Sequence, residues 1–224
     1  MNNLAATDNR ELIALVTKLV TEELEKAVSG DRKVKVGVSN RHIHLDREAM
    51  DVLFGKNSEL HPKKELGQPG QYASEETVTL KGPRGELKRV RVLGPLRKQT
   101  QVEISVTDGF AVGVKPPVRE SGDLKGTPGI EVIGPKGSVK LEEGVIVALR
   151  HIHMHTDDAR RFGVENGQIV RVKVGGDRGG VLDNVVIRVS PKYALEMHID
   201  VDEANGLGLA TGDFVEVLDP KCEA

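Results

Sequence analysis

Arg41-His42-Ile43-His44-Leu45 returns later in the chain as Arg150-His151-Ile152-His153-Met154. The phrase and its echo hold four of the seven histidines. On a β-strand, side chains at i and i+2 leave the same face, so each His-x-His offers two imidazoles to one point. Imidazole is the commonest protein ligand for zinc and its neighbours. One such pair is as readily explained by a hydrogen bond to a carbonyl or to water. Its repetition, with Arg ahead and Ile between, points instead to a metal centre built by internal duplication.

The duplication reaches further. Val102-Glu103-Ile104-Ser105-Val106-Thr107-Asp108 runs parallel to Met197-His198-Ile199-Asp200-Val201-Asp202-Glu203, and Val112-Gly113-Val114 to Leu207-Gly208-Leu209. In this register Glu103 is the counterpart of His198. Each half reads as His-x-His followed downstream by one more ligand type. The candidates are His42, His44, Glu103, His151, His153 and His198. They suffice for one closed four-coordinate site and a second, open one.

The strands are predicted from short alternating runs. Thr77-Val78-Thr79-Leu80, Arg89-Val90-Arg91-Val92-Leu93, Ile169-Val170-Arg171-Val172-Lys173-Val174 and Phe214-Val215-Glu216-Val217 are separated by Gly-Pro and Gly-Gly breaks. The pattern predicts a mainly β protein with two tandem small β-barrels related by duplication. Short helices are expected after each His-x-His, over residues 46–53 and 156–162. An amphipathic helix is expected over residues 9–28, where Leu12, Ile13, Leu15, Val16, Leu19, Val20 and Leu24 form an apolar stripe. The expected organisation is residues 1–33 as N-terminal helix and linker, 34–125 as the first barrel and 126–224 as the second. The division falls in a Gly- and Pro-rich stretch over residues 118–129, with the metal site between the repeats.

Composition narrows the partners. The 224 residues carry a formal net charge of −2, and the pI is near 6.4, which argues against nucleic acid and anionic membranes. Aromatic residues make up 3% and Trp is absent, leaving no platform for stacking bases. The single cysteine, Cys222, supports neither an internal disulfide nor a Cys-rich zinc site. With no apolar stretch of about 18 residues and no signal-peptide pattern, a cytoplasmic protein is expected. No Gly-rich phosphate loop and no Gly-x-Ser-x-Gly nucleophile elbow is present.

Ser39-Asn40-Arg41-His42-Ile43-His44-Leu45, Gln68-Pro69-Gly70-Gln71-Tyr72-Ala73, Leu93-Gly94-Pro95-Leu96-Arg97, Gln101-Val102-Glu103-Ile104-Ser105, Gly126-Thr127-Pro128-Gly129-Ile130 and Arg150-His151-Ile152-His153-Met154 together resemble the PduL-type phosphotransacylases, or phosphate propanoyltransferases. The resemblance runs in order from about Val34 to Leu218. It implies a tandem β-barrel enzyme with two zinc ions per chain that interconverts acyl-CoA plus phosphate with acyl phosphate plus CoA, the acyl group being propanoyl or acetyl.

Within that expectation, Glu103, His151, His153 and His198 form a four-ligand zinc site. The His42/His44 zinc keeps open positions suited to the thiolate of CoA. Arg97 clamps phosphate, because a guanidinium binds two phosphate oxygens at once. Metal-bound phosphate then attacks the thioester directly, without an acyl-enzyme. The resemblance also assigns Ser39, Lys64, Arg91, Leu93, His198 and Asn205 to a CoA pocket, with Phe110 reaching a neighbouring subunit's ligand in a homodimer. It further allows the N-terminal helix to dock on a shell or core protein of a bacterial microcompartment, placing the enzyme in its lumen. The competing readings are a metal-dependent thioester hydrolase and a non-catalytic metal-binding double barrel.

Overall fold

A computed structural model describes residues 13–20 and 32–218. Residues 13–20 form helix α1, inside the expected N-terminal helix. The rest of that helix, its linker and Cys222 lie outside the described residues. The strands that follow are β1 (Lys33–Ser39), β2 (His42–His44), β3 (Pro62–Glu65), β4 (Tyr72–Lys81), β5 (Glu86–Gly94), β6 (Gln101–Glu103), β7 (Val118–Arg119), β8 (Ile130–Ile133), β9 (Ser138–Leu141), β10 (Val145–Ala148), β11 (His151–Met154), β12 (Ile169–Val174), β13 (Gly180–Val189), β14 (Glu196–Asp200) and β15 (Phe214–Val217). Four further helices are α2 (Arg47–Phe54), α3 (Val106–Val112), α4 (Thr156–Phe162) and α5 (Val201–Leu207).

The protein is mainly β, as the alternating runs require. In β12, Val170, Val172 and Val174 point inward while Ile169, Arg171 and Lys173 face solvent. Six strands close a barrel in the order β1-β14-β11-β13-β12-β15, with β15 returning to β1. Its core holds Val34, Val36, Ile152, Met154, Phe162, Val172, Ile187 and Met197. The other strands form an open, curled sheet in the order β7-β10-β6-β2-β5-β4-β8-β9, with β3 on β4. Its core holds Ile43, Leu45, Met50, Leu53, Val92, Val102 and Val145. One unit is thus a closed barrel and its counterpart is left open.

Sheet membership does not follow the sequence division expected near residue 125. Strand β1 leaves its own half and pairs in parallel with β14, while β8, β9 and β10, all beyond residue 126, join the first sheet, β8 on β4, β9 on β8 and β10 in parallel with β6. Each His-x-His strand therefore follows a strand that belongs to the other sheet. The chain crosses between sheets at Asn40-Arg41 and again at Leu149-Arg150. The alternating pattern specifies inward and outward faces, but it carries no signal for which distant strand supplies a neighbour.

The helices start and stop on local chemistry. Asp46, Ser105 and Asp200 are N-caps whose side chains accept backbone N–H groups of α2, α3 and α5. His155 caps α4, which accounts for a histidine that has no counterpart in the first half. Helices α3, α4 and α5 end on Gly113, Gly163 and Gly208, all left-handed, a conformation that costs glycine little. The arginine ahead of each His-x-His is tied to the following duplicated helix: Arg41 pairs with Asp108 at 2.8 Å and Arg150 with Glu203 at 3.2 Å.

Because the sheets exchange strands, they should unfold together. Ile152→Ala, deep in the barrel core, is expected to cost about 2–5 kcal/mol and to shift one shared urea transition. Circular dichroism with a probe in each sheet checks this. Two separate transitions, with only the barrel's displaced, would show that the exchange does not couple the units.

Candidate metal centre

The two forks stand where the chain crosses between sheets. All three residues of β2 and all four of β11 are buried. The antiparallel pairing of β2 with β6 sets His42 opposite Glu103, and that of β11 with β14 sets His151 opposite His198. Two ligand groups result, His42 with His44 and Glu103, and His151 with His153 and His198. In each, the candidate ligand atoms all lie within 4.8 Å of one another.

This grouping differs from the expected four-ligand set in where it places Glu103. Glu103 stands with the first fork, its Oε2 3.3 Å from His42 Nε2, because strand register places it directly across the ladder. The candidate ligands fall into two groups of three, one per fork. One cleft is lined by Glu103 from the first group and by His151 and His198 from the second, with Ser39, Arg41 and Asp200 beside them.

The ring nitrogens are sorted in the same way in both halves. His42 Nδ1 donates to the Asn40 carbonyl at 2.8 Å, and His151 Nδ1 to the Leu149 carbonyl at 2.7 Å. A carbonyl only accepts, so in the neutral ring each Nε2 is the unprotonated nitrogen. His44 Nδ1 and His153 Nδ1 are buried with no hydrogen-bond partner. Such atoms are costly unless a ligand satisfies them. Three nitrogen or oxygen donors per group, two of the six left as orphaned nitrogens, fit a divalent cation of the zinc type with coordination positions to spare.

Electrostatics agrees with that donor set. Burial, with neighbouring charges, holds His44 down at about 3, His151 at about 4 and His153 at about 2. All three are neutral at pH 7 and present lone pairs without first losing a proton. Burial also acts to lower His42, but the Glu103 carboxylate outweighs it and holds His42 above its ordinary value. Burial would raise Glu103, yet the charge and hydrogen bond of His42, helped by His44 and Arg97, hold it well below the usual carboxylate range.

Arg97 comes to the same place from the loop after β5. Its backbone N–H donates to the Leu45 carbonyl at 2.8 Å, just beyond the first fork. Its Nη1 donates to Ser121 Oγ at 2.9 Å. The side chain is half-buried, and burial pulls its pKa down, opposed by Glu103. Arg188, in register with His153 on β13, is a second cation whose charge acts on Arg97, His151 and His153. Nothing in the local sequence singles Arg188 out; only its strand register does. Ser121 lies in the stretch first read as a boundary loop, and there too the sequence carries no signal.

Of the residues assigned to CoA, Ser39 and His198 line the cleft. Arg91 is paired with His42 across β2 and β5, but its guanidinium is committed to the Ser74 and Glu75 carbonyls. Leu93 is half-buried and its backbone hydrogen-bonds His44. Lys64, Asn205 and Phe110 are exposed and lie outside the cleft lining, Phe110 at 74%.

Comparison with known proteins bears on the same residues. The phosphate propanoyltransferase family model matches residues 35–210, spanning both triads and Arg97. A phosphate propanoyltransferase of Rhodopseudomonas palustris (strain BisB18) is 60% identical over 185 residues, covering 83% of this chain and 82% of its own. One from Thermotoga maritima is 60% identical over 185 residues, covering 82% and 88%. A third, from Rhodobacter capsulatus, is 55% identical over 203 residues, covering 91% and 94%. A duplicated fold with one candidate ligand triad per fork, matched over nearly its whole described length at this identity, belongs to the phosphate propanoyltransferase family.

Proposed function

We propose that the chain transfers an acyl group between CoA and phosphate, interconverting propanoyl-CoA or acetyl-CoA plus phosphate with the acyl phosphate plus CoA. The relatives' shared name supports the reaction. The observation that supports particular residues is the pair of candidate triads, with Glu103, His151 and His198 on one cleft and Arg97 near enough to Glu103 for its charge to act on that carboxylate.

The reaction joins a phosphate oxygen to the thioester carbonyl carbon and breaks the carbon–sulfur bond. The electron pair leaves on sulfur as the CoA thiolate, so no proton transfer and no enzyme nucleophile are needed. Arg97 binds the phosphate: its Ser121 contact and its backbone tie to Leu45 fix the guanidinium, leaving other N–H groups to donate. Arg188 adds positive charge on the same side. Cations fixed by the fold stabilise a developing oxyanion without the reorganisation that water would need. Two zinc ions, one on His42, His44 and Glu103 and the other on His151, His153 and His198, would supply Lewis-acid polarisation and a stabilising partner for the thiolate.

Ser39 and His198 are the cleft residues best placed to meet CoA. Lys64, Arg91, Leu93 and Asn205 would extend that pocket outward, and Phe110, exposed on α3, would reach CoA bound by the second subunit of a homodimer. A cytoplasmic setting, or a microcompartment lumen, fits the exposed apolar side chains of Ile13, Leu15, Val16, Leu19 and Val20, which suit a docking helix. Among the described residues, no helix is long and apolar enough to cross a membrane.

Release of CoA thiol from propanoyl-CoA should require both inorganic phosphate and metal. Arg97→Ala should lower turnover by about 10²–10³-fold, the scale of losing one oxyanion-stabilising donor, while retaining metal. Thiol release without phosphate would mean a hydrolase, and no release under any condition a binding protein. An unchanged phosphate dependence in Arg97→Ala would remove Arg97 from the reaction.

The metal-stripped protein should lose stability as pH falls. His44, His151 and His153 titrate near 6.5 when unfolded but stay neutral in the fold to about 3, 4 and 2. Below pH 6.5 the unfolded chain binds more protons, so their contribution is full above 6.5 and declines as pH falls through 4 for His151, 3 for His44 and 2 for His153. His42, raised in the fold, opposes this: its contribution is full below 6.5 and declines as pH rises through its folded value. Three outweigh one, and each 1 kcal/mol lost lowers Tm by about 2–4 °C in a chain of this size. A Tm that does not change between pH 7 and 5 would show the histidines are not held neutral.

Removing residues 1–32 should leave thiol release intact and abolish co-sedimentation with reconstituted microcompartment shells. Undiminished co-sedimentation would exclude the N-terminal helix as the docking element.

A further inference from the structure

The third ligand of each triad is preceded, two residues earlier on the same strand, by a buried or half-buried polar residue: Gln101 before Glu103 and Glu196 before His198. The internal duplication makes Gln101 and Glu196 counterparts. Strand register agrees, since Gln101 lies opposite His44 and Glu196 opposite His153. Alternation along a strand puts each on the ligand-bearing face.

Each one hydrogen-bonds its own third ligand, and the polarity is inverted between the halves. Gln101 Nε2 donates to Glu103 Oε1 at 2.5 Å. His198 Nε2 donates to Glu196 Oε2 at 2.8 Å. Where the ligand is a carboxylate, which only accepts, its neighbour is an amide that donates. Where the ligand is an imidazole with one N–H to give, its neighbour is a carboxylate that accepts. The bond to Glu196 places the proton on Nε2 and leaves His198 Nδ1 for the triad.

Both neighbours are themselves fixed. Gln101, only 1% exposed, accepts from the Gly122 backbone N–H at 2.8 Å and donates to Ser121 Oγ at 2.8 Å. Glu196 accepts from Gln68 Nε2 at 3.4 Å. Gln68 is locked in turn by two bonds to the Ala194 backbone, at 3.0 and 3.2 Å. The Glu196 carboxylate also lies against two glycines. A Cβ on Gly67 would meet its Oε2 at 2.1 Å, and one on Gly37 would meet its Oε1 at 3.1 Å. The space for this carboxylate exists because position 67 has no side chain.

We infer that Gln101 and Glu196 are a duplicated pair of positioning residues, each orienting the third ligand of one triad, with donor and acceptor roles exchanged to match the ligand's chemistry. Gln68 and Gly67, from the first half, thereby hold the triad of the second. The inference rests on the metal-binding reading above. Groups that hydrogen-bond metal ligands in this way typically change metal affinity by about 10–100-fold when lost.

Cobalt(II) titration of the chelator-stripped full chain tests it, read by d–d absorbance and by bound cobalt per chain, with circular dichroism to confirm folding. Wild type should load two ions. Glu196→Ala should weaken one of them about 10–100-fold, and adding His198→Ala should cause no further loss of the other. Glu196→Gln, which retains an acceptor, should recover most of the affinity. Gly67→Ala should reproduce the loss by displacing the carboxylate without altering it. Gln101→Ala should weaken the other ion, and Gln101→Glu, which sets two carboxylates together, should weaken it more. Two ions bound with unchanged affinity in both alanine variants would overturn the positioning roles alone. No cobalt uptake by the wild type would overturn the metal reading and this inference with it.

Discussion

The site depends on a reciprocal exchange of strands. Strand β1 joins the sheet that carries the second fork, and β10 joins the sheet that carries the first. The chain must therefore cross between sheets immediately before each His-x-His. The two crossings present the Asn40 and Leu149 carbonyls to His42 and His151, fixing the tautomer of the leading ligand in each triad. They also bring Glu103, His151 and His198 to one cleft. Two separate barrels joined by a linker would bury the same apolar area without setting ligands of both triads on one cleft.

Charge within the cleft is arranged economically. Three of the imidazoles are held neutral by burial, and Glu103 supplies the negative charge among the ligands. Arg97 and Arg188 add positive charge close to that set. Such a field favours phosphate and a thiolate, the two anions of the proposed transfer.

The internal duplication was preserved in geometry and varied in chemistry. The arginine ahead of each fork finds an acid at the third residue of the following helix, Asp108 in one half and Glu203 in the other. The third ligand changed from carboxylate to imidazole, and its hydrogen-bonding neighbour changed from amide to carboxylate. Closure also diverged: the second sheet meets itself through β15 and β1, while the first remains open between β7 and β9.

The sequence by itself determined the β character, the positions of the helices after each fork, and the identity of all six candidate ligands. It could do so because these are local or repeated features: a period of two aims His42 and His44 together, an N-cap residue marks a helix start, and duplication makes Glu103 legible as the partner of His198. Only the tertiary structure decided that the candidate ligands group three and three and that β1, β8, β9 and β10 change sheets. The same is true of the gathering of Arg188, Ser121, Gln68, Gln101 and Glu196 around them. Those outcomes depend on register between strands far apart in the chain. A hydrophobic pattern states which face of a strand is buried, and the choice of neighbouring strand is made by packing.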